Sequence, residues 1–229
     1  MNGETDEFTE QLSVAARAMQ AEDGTQQTLE RAILNVTEMI EACDLAGISI
    51  LRKDGIETPA ASDELTRRID QLQYELRQGP CYDALREHEV VRGNDLLRDE
   101  RWPQWGHAMA EELGVRSSLS YRLFITDDSL GSMDLYSRTV NAFDDDDLLH
   151  GQALAAHIAV AVAAAQDSDN LRRAVTNRTV IGQAEGILME RFGITADRAF
   201  DVLRRVSQHR NQKLNQVAEQ LVSTRETPS

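Results

Sequence analysis

The sequence predicts an α+β protein in two parts: an amino-terminal antiparallel sheet flanked by helices, followed by a carboxyl-terminal bundle of three helices. Three observations predict it. Short apolar segments separated by turn residues alternate with helical segments over the first 140 residues. From residue 146 onward the spacing is helical, with no proline before Pro228. The net charge also changes sign between the two parts.

Two helices are predicted before the sheet, at residues 7–19 and 28–42, because apolar side chains recur there at helical spacing. The first lies in a helical extension, residues 1–26, and the sheet domain is expected at residues 27–166. Strands are predicted at residues 44–52, 57–61, 90–97, 117–126 and 132–138. Since the best hairpin signals, such as Asp54-Gly55, are local, the sheet should be antiparallel.

The middle of the sheet domain is less regular. Residues 64–89 form a mixed stretch that Gly79-Pro80 interrupts, and no long helix is predicted there. A helix follows Trp102-Pro103 and ends at Gly114. The turn between the last two strands is predicted at residues 127–131.

Residues 167–229 are predicted to form the three-helix bundle. The first helix ends at Gly193, the second starts at Thr195, whose hydroxyl can cap it, and Asn211 caps the third. The helical spacing places these side chains in the core: Leu171, Ala174, Val175, Ile181, Ala184, Leu188, Ala199, Phe200, Leu203, Val206, Leu214, Val217, Ala218 and Leu221.

Two glycines, Gly182 and Gly186, lie four residues apart inside the first helix of the bundle. Each costs about 1 kcal/mol relative to alanine. Such a pair predicts a close approach to another helix or to a ligand.

The bundle is the basic part of an acidic protein. Residues 171–229 contain ten Lys and Arg against six Asp and Glu, a net charge of +4, whereas residues 1–170 contain fourteen against thirty-three, a net charge of −19. A charge split of this kind predicts a polyanionic partner for the basic end, and it disfavours nucleic-acid binding by the whole surface.

The bundle resembles the ANTAR domain, a family of RNA-binding transcription antiterminators. The motif QAEGILM at residues 183–189 carries the resemblance, together with Ala199-Phe200, Leu203-Arg204 and Val217-Ala218. The resemblance implies binding to hairpin loops in nascent transcripts, where unstacked bases can be read on their edges. Many family members have Lys at the position of Glu185, so this chain departs from them by one positive charge.

The predicted RNA-binding surface combines cations for phosphate with residues near the bases. It comprises Gly186, Met189, Arg191, Arg205, Arg210, Lys213 and Asn215. The alternative interpretation is that these are ordinary solvated helix faces, and that Gly186, like Phe200 and Ala218, belongs to the core.

Residues 27–166 resemble the GAF domain, a small-molecule sensing fold. The resemblance depends on the order of Gly79-Pro80-Cys81, Trp102-Pro103 and the segments at residues 114–118, 131–137 and 143–147. It implies a small-molecule effector, and Cys81, Trp102 and Trp105 are the candidate ligand-binding residues. The sequence at residues 141–145, NAFDD, departs from the cyclic-nucleotide signature, so a cyclic nucleotide is not predicted.

The sequence contains no phosphate-binding loop, HExxH or GxSxG motif, so neither an enzyme nor a cofactor or metal is predicted. Cys81 precedes a predicted helical turn, and a thiol at the start of a helix can have a lowered pKa and be reactive. A redox sensor or enzyme that uses Cys81 is therefore an alternative to a Cys81 that is simply packed in the domain. A DNA-binding regulator is a second alternative to RNA binding.

The location and assembly of the chain follow from the same patterns. We expect a cytoplasmic protein, because the amino-terminal end is acidic and no apolar run approaches the roughly 20 residues needed to span a bilayer. A homodimer is predicted from the small and apolar residues that continue at helical spacing from Ala161 to Val175.

Overall fold

The computed structural model describes residues 2–86, 89–126 and 129–224, and the chain divides into two compact units, Met1–Gln166 and Asp167–Ser229. The helices are α1 (Asn2–Gln20), α2 (Thr25–Met39), α3 (Glu64–Leu76), α4 (Pro80–Arg86), α5 (Pro103–Glu112), α6 (Asp145–Phe192), α7 (Ala196–Arg210) and α8 (Leu214–Thr224). The strands are β1 (Leu45–Arg52), β2 (Gly55–Ala61), β3 (Val90–Gly93), β4 (Ser117–Thr126) and β5 (Ser129–Ser137).

The five strands form one sheet in the order β2-β1-β5-β4-β3, in which every neighbouring pair is antiparallel. The predicted α+β class and the antiparallel sheet are therefore confirmed. Strand β3 is shorter than predicted and ends at Gly93. The predicted turn between β4 and β5 includes residues 127–128, which lie outside the described residues.

Each face of the sheet carries its own core, because successive side chains of a strand point to opposite faces. On one face Ile48 and Met133 pack with α1, α2 and the first part of α6. On the other face Ile69 and Trp105 belong to a second core with α3, α4 and α5.

Helix α3 was not predicted from the sequence, yet it has thirteen residues. Its start is capped by Asp63, whose carboxylate accepts a hydrogen bond from the backbone N–H of Thr66 at 2.9 Å. Its apolar residues recur at helical spacing but are interrupted by the buried polar residues Asp70 and Gln73. Because these polar residues interrupt the apolar pattern, the sequence alone does not predict this helix.

The second unit has three helical segments around one core. That core includes Ala184 and Leu188 of α6, Leu203 of α7, and Val217 and Leu221 of α8, and all five are buried. The predicted three-helix bundle is therefore confirmed.

Two of the predicted helix caps in this unit were wrong. Gly193 has φ 59° and closes α6 as predicted. Asn211 also has a left-handed φ, 51°, and it ends α7 instead of starting α8. Thr195 precedes α7, but its side chain makes no capping hydrogen bond.

Four residues predicted for the core are exposed instead. Leu171 and Val175 have exposed fractions of 68% and 59%, Ala174 is exposed, and Phe200 is 38% exposed. The helical stripe was assigned correctly around Ala184 and Leu188, but its extension toward the start of the unit and to Phe200 was wrong.

Within the described residues, one helix, α6, is long and apolar enough to cross a membrane by length and composition, with an 18-residue window of mean hydropathy 1.6. The expectation that no segment reaches this limit was therefore wrong. In the first unit, however, α6 buries Leu154, Ile158 and Val162 in the core of the sheet. A helix that packs in a domain core has the same composition, so this signal is weak evidence for a membrane span.

Candidate functional site

The second unit exposes most of its cations. Arg191 and Arg205 are exposed on α6 and α7. Arg210, at the end of α7, donates a hydrogen bond to Gln220 at 3.2 Å, and Lys213 is exposed just before α8. The structure thus brings Arg210 and Lys213 to the same turn between two helices.

The remaining predicted RNA-binding residues lie on α6 and α8. Gly186 and Met189 are exposed and three residues apart, so they share one side of α6. Asn215 is half-buried, and its amide donates to the side-chain oxygen of Asn177 at 3.2 Å. Of the three residues that the alternative interpretation placed in the core, Ala218 is buried, whereas Gly186 and Phe200 are not.

A groove of about 480 Å³ lies between α6 and α7. We call it the α6–α7 groove; its lining residues are Ala174, Asn177, Arg178, Ile181, Gly182, Glu185 and Phe200. None of the seven residues predicted to bind RNA lines it, although Asn215 contacts Asn177, which does. A side chain added at Gly182 or at Gly186 would meet no described atom within 4 Å, so the expected close approach of another helix does not occur within the described residues.

The first unit contains a buried polar cluster on the face of the sheet that α3 and α4 cover. We call it the polar cluster; its members are Ser49, Thr58, Asp70, Gln73, Tyr74, Cys81, Ser132, Asp134 and Tyr136. The register of β1 and β5 brings the strand residues of the cluster together, because Ser49 pairs with Ser132 and Gly47 pairs with Asp134. A side chain at Gly47 would lie 2.8 Å from an oxygen of Asp70, so glycine there admits this carboxyl group to the sheet.

Hydroxyl groups hold the two carboxyl groups of the polar cluster. Tyr136 donates to Oδ1 of Asp70 at 2.7 Å and Thr58 donates to Oδ2 at 3.0 Å. Ser132 donates to Oδ2 of Asp134 at 2.8 Å, and Ser49 donates to the same oxygen at 3.3 Å. Gln73 then links the cluster to α4, since it accepts from the backbone N–H of Cys81 and donates to Tyr136.

Burial changes the protonation of both carboxyl groups. Loss of water, followed by the negative charge of Asp134, raises the pKa of Asp70 to about 8. Loss of water raises the pKa of Asp134 to about 6. Burial therefore favours the protonated form of both carboxyl groups, and the repulsion between them disfavours the state in which both are ionised.

Three buried polar atoms in or beside the cluster make no hydrogen bond of normal geometry among the described residues: Oδ1 of Asp134 and the hydroxyls of Ser118 and Ser120. The Ser120 hydroxyl is nevertheless close enough to the Asp134 carboxylate to lower its pKa. Ser120 pairs with Asp134 across β4 and β5, and Ser118 comes two residues before Ser120 in β4, so all three lie on the same face. Unpaired buried polar atoms are costly, and in native proteins they often mark a site where a water or a ligand binds.

The two cysteines are not arranged for thiol chemistry. Cys81 contacts the hydroxyl of Ser132 at 3.0 Å, whereas Cys43 belongs to the core on the other face of the sheet. Burial raises the pKa of Cys43 to about 12 and that of Cys81 well above its usual value. A lowered pKa at Cys81, which reactivity would require, is therefore not found.

Trp102 precedes α5 and Trp105 lies in its first turn; both are buried in the second core, with an edge-to-face contact and ring centroids 5.8 Å apart. The indole of Trp102 donates to Asp83 at 2.8 Å and that of Trp105 to the carbonyl of Ile69 at 3.3 Å. Of the three candidate ligand-binding residues, Cys81 therefore lies in the polar cluster and the two tryptophans pack in the adjacent core.

Sequence reasoning missed most of the polar cluster. Asp70, Gln73 and Tyr74 lie on the unpredicted α3. The strands did contain a signal. Ser118 and Ser120 in β4, and Ser132 and Asp134 in β5, alternate with large apolar residues, which predicts one polar face of the sheet. The structure shows that this polar face is buried.

Comparison with known families and structures divides the chain in the same way. The model of the GAF domain matches residues 22–163, and the model of the ANTAR domain matches residues 169–222. No curated protein matches the chain at a significant level.

Solved structures with a similar fold have low sequence identity. The free methionine-R-sulfoxide reductase of Neisseria meningitidis, solved with its substrate, is 16% identical, with a TM-score of 0.56 over 70% of this chain and 91% of that chain. The GAF domain of an Acinetobacter phosphoenolpyruvate-protein phosphotransferase is 13% identical, with a TM-score of 0.55 over 71% and 97%. A bacteriophytochrome from R. palustris is 13% identical, with a TM-score of 0.59 over 86% and 46%. At these identities the likeness concerns the fold alone.

Proposed function

Because the chain belongs to the GAF domain family and carries an ANTAR domain at its carboxyl-terminal end, we propose that it is a signal-responsive, RNA-binding transcription antiterminator. The ANTAR unit binds hairpin loops in nascent RNA, and the GAF unit controls this binding through a small-molecule effector. The observation that carries the proposal is the presence of both domains in one chain, in which the net positive charge is confined to the ANTAR end.

The RNA-binding half of the proposal is tested with the full-length chain and a pool of RNA hairpins that share one stem and have randomised loops. We expect repeated selection to enrich loops with common bases, and affinity to fall steeply as salt rises, because Lys and Arg displace counterions from phosphate. An enriched hairpin placed so that it overlaps a terminator should then give more read-through transcription in vitro when the protein is added. Preference for duplex DNA of equal length would favour a DNA-binding regulator instead.

The sensing half of the proposal places the effector at the polar cluster. Oδ1 of Asp134 accepts no hydrogen bond of normal geometry among the described residues, and the hydroxyl of Ser118 has no partner there, so a ligand that donates to the carboxylate and accepts from the serine would satisfy both. The test is mass spectrometry of small molecules released from the purified full-length chain. A molecule retained by the wild type should be lost from Asp134→Asn, and equal retention by both proteins would place the effector elsewhere.

A cysteine-dependent reductase is the second candidate, because the fold is similar to that of free methionine-R-sulfoxide reductase. The burial and raised pKa of Cys43 and Cys81 disfavour it, so we propose that the GAF unit is a sensor without enzymatic activity. Reduction of methionine sulfoxide by the wild type that disappears in Cys81→Ser would contradict this.

We also propose that the protein is cytoplasmic, where nascent transcripts form, and that it acts as a homodimer. Leu171 and Val175 are apolar and largely exposed on α6. Light scattering of the full-length chain tests the dimer, and Leu171→Glu with Val175→Glu should shift its mass toward the monomer.

A further inference from the structure

The α6–α7 groove includes Glu185 and Phe200, which belong to motifs that carry the ANTAR resemblance, but none of the predicted RNA-binding residues lines it. It belongs entirely to the second unit and has a volume of about 480 Å³. Arg178, Gly182 and Glu185 lie along its α6 wall at a spacing of four and three residues, which places them on one face of the helix.

The groove is open because Gly182 has no side chain. A Cβ built there would meet no described atom within 4 Å, so packing inside the unit does not require glycine. A glycine within a helix nevertheless costs about five-fold in the folding equilibrium relative to alanine. Access for a ligand would account for this cost.

Phe200 forms the opposite wall of the groove. Ala199 and Leu203 of α7 fill the core, and this leaves the neighbouring aromatic ring 38% exposed at the groove. Within the described residues no other aromatic ring stacks on it. An exposed aromatic face in a basic domain is a surface on which nucleic-acid bases stack.

The two ends of the α6 wall have opposite charge. Arg178 and Glu185 are seven residues apart, about 10 Å along the helix. Arg178 and Glu185 are in none of the ion pairs found among the described residues. A nucleotide is similarly polarised, with an anionic phosphate at one end and the hydrogen-bonding edge of its base at the other.

We propose that the α6–α7 groove holds one unstacked base of the RNA loop, with the base against Phe200, its phosphate near Arg178, and its exocyclic amino group donating to Glu185. The inference rests on the proposed RNA-binding function and adds the site and the base class. A carboxylate accepts hydrogen bonds and repels carbonyl oxygens, so adenine, cytosine or guanine is accepted. Uracil has no amino group, and its N3–H donor lies between two carbonyl oxygens that the carboxylate repels, so it is disfavoured.

The site is tested by filling the groove in the full-length chain. Gly182→Leu replaces a glycine in a helix with a better helix former, so the fold should be retained, but its side chain occupies the space of the base. We expect the affinity for a selected hairpin to fall at least 10-fold. Thr179→Leu is the matched control, because Thr179 is exposed on the same helix outside the groove, and its affinity should stay within two-fold of the wild type.

The aromatic wall is tested by Phe200→Leu, which should weaken binding about 5- to 150-fold, the range for the loss of one stacked base. Phe200→Trp should restore binding. Phe192→Leu is the control, since Phe192 is 54% exposed but does not line the groove. Circular dichroism of each variant checks that the helices are retained.

The base class is tested with the same hairpin carrying uracil at each loop position in turn. One position should lose affinity in the wild type, and Glu185→Gln, which can also donate, should reduce this discrimination. An abasic nucleotide at that position should weaken the wild type but not Phe200→Leu.

The outcomes separate this inference from the proposed function. If the wild type binds no hairpin, the proposed function fails and the groove proposal fails with it. If the wild type binds hairpins and Gly182→Leu binds as well as Thr179→Leu, RNA binding stands and the groove proposal is overturned. If Gly182→Leu changes the mass of the protein in solution and leaves its RNA affinity unchanged, the groove is a contact between copies of the chain.

Discussion

The buried carboxyl group of Asp70 should make the GAF unit less stable as the pH rises from 4 to 8. The pKa of Asp70 is about 8 in the folded protein and 3.8 when the group is exposed to water. The folded state therefore holds a proton that the unfolded state loses, and the stabilisation present below about pH 4 is lost as the pH approaches 8. Each pH unit in this window costs about 1.4 kcal/mol per retained proton.

Asp134 contributes to the same effect over a narrower window, because its pKa of about 6 lies closer to 3.8. The free energy of unfolding should therefore fall most steeply with pH between pH 4 and 6. Between pH 6 and 8 the proton held by Asp70 causes the remaining fall, which is about 2 to 3 kcal/mol over the two pH units. The cation Arg67 opposes the effect but is outweighed by burial and by Asp134.

The assay is urea unfolding of the full-length chain, followed by tryptophan fluorescence. The chain has two tryptophans, Trp102 and Trp105, and both are buried in the first unit, so the signal reports that unit alone. Asp70→Asn should flatten the slope between pH 6 and 8 by about 1 kcal/mol per unit. Glu75→Gln is the control, because Glu75 is exposed on the same helix.

Equal slopes for the wild type and Asp70→Asn between pH 6 and 8 would refute the reasoning. They would mean that Asp70 is ionised in the folded protein at neutral pH, and that the cluster holds water or an internal cation near it. If Glu75→Gln flattened the pH dependence of the free energy of unfolding as much as Asp70→Asn does, the effect would come from the general surface charge.

Three further predictions concern the two units. Arg205→Ala with Lys213→Ala should weaken hairpin binding and lower the slope of log affinity against log salt by up to about two, while circular dichroism is unchanged; an unaltered slope would mean that neither side chain contacts phosphate. Leu203→Ala should destabilise the ANTAR unit by about 2 to 5 kcal/mol in thermal denaturation followed by circular dichroism, because Leu203 is fully buried, and the tryptophan transition should not move. Cys43 and Cys81 should react with a thiol reagent at pH 8 only after urea unfolds the GAF unit; rapid reaction of the native protein would show that a thiol is accessible.

The sequence was most informative where local chemistry decides the structure. Gly114 and Gly193 were predicted to end helices, and both adopt the left-handed backbone that glycine tolerates. Strands β1 and β4 were predicted within one residue, because apolar runs bounded by turn residues are a local signal.

Tertiary packing decided the features that the sequence left open. The apolar pattern could not show that α3 buries Asp70 and Gln73, since burial of polar residues depends on partners such as Tyr136 that lie more than sixty residues away. The pattern also could not decide between Ala199 and Phe200 as core residues, because consecutive residues differ by only 100° around a helix. Cys81 was correctly singled out, but its neighbours in the polar cluster come from elements that only the fold brings together.

The outer strands of the sheet, β2 and β3, are poorly suited to pairing with a further strand. In β2 the pairing with β1 is interrupted near Thr58 and Pro59, and the carbonyl oxygens of these two residues accept hydrogen bonds from the side chains of Arg67 and Gln26. Pro59 has no N–H to offer, and β3 at the opposite margin is only four residues long. Both features disfavour the addition of a strand at either margin of the sheet.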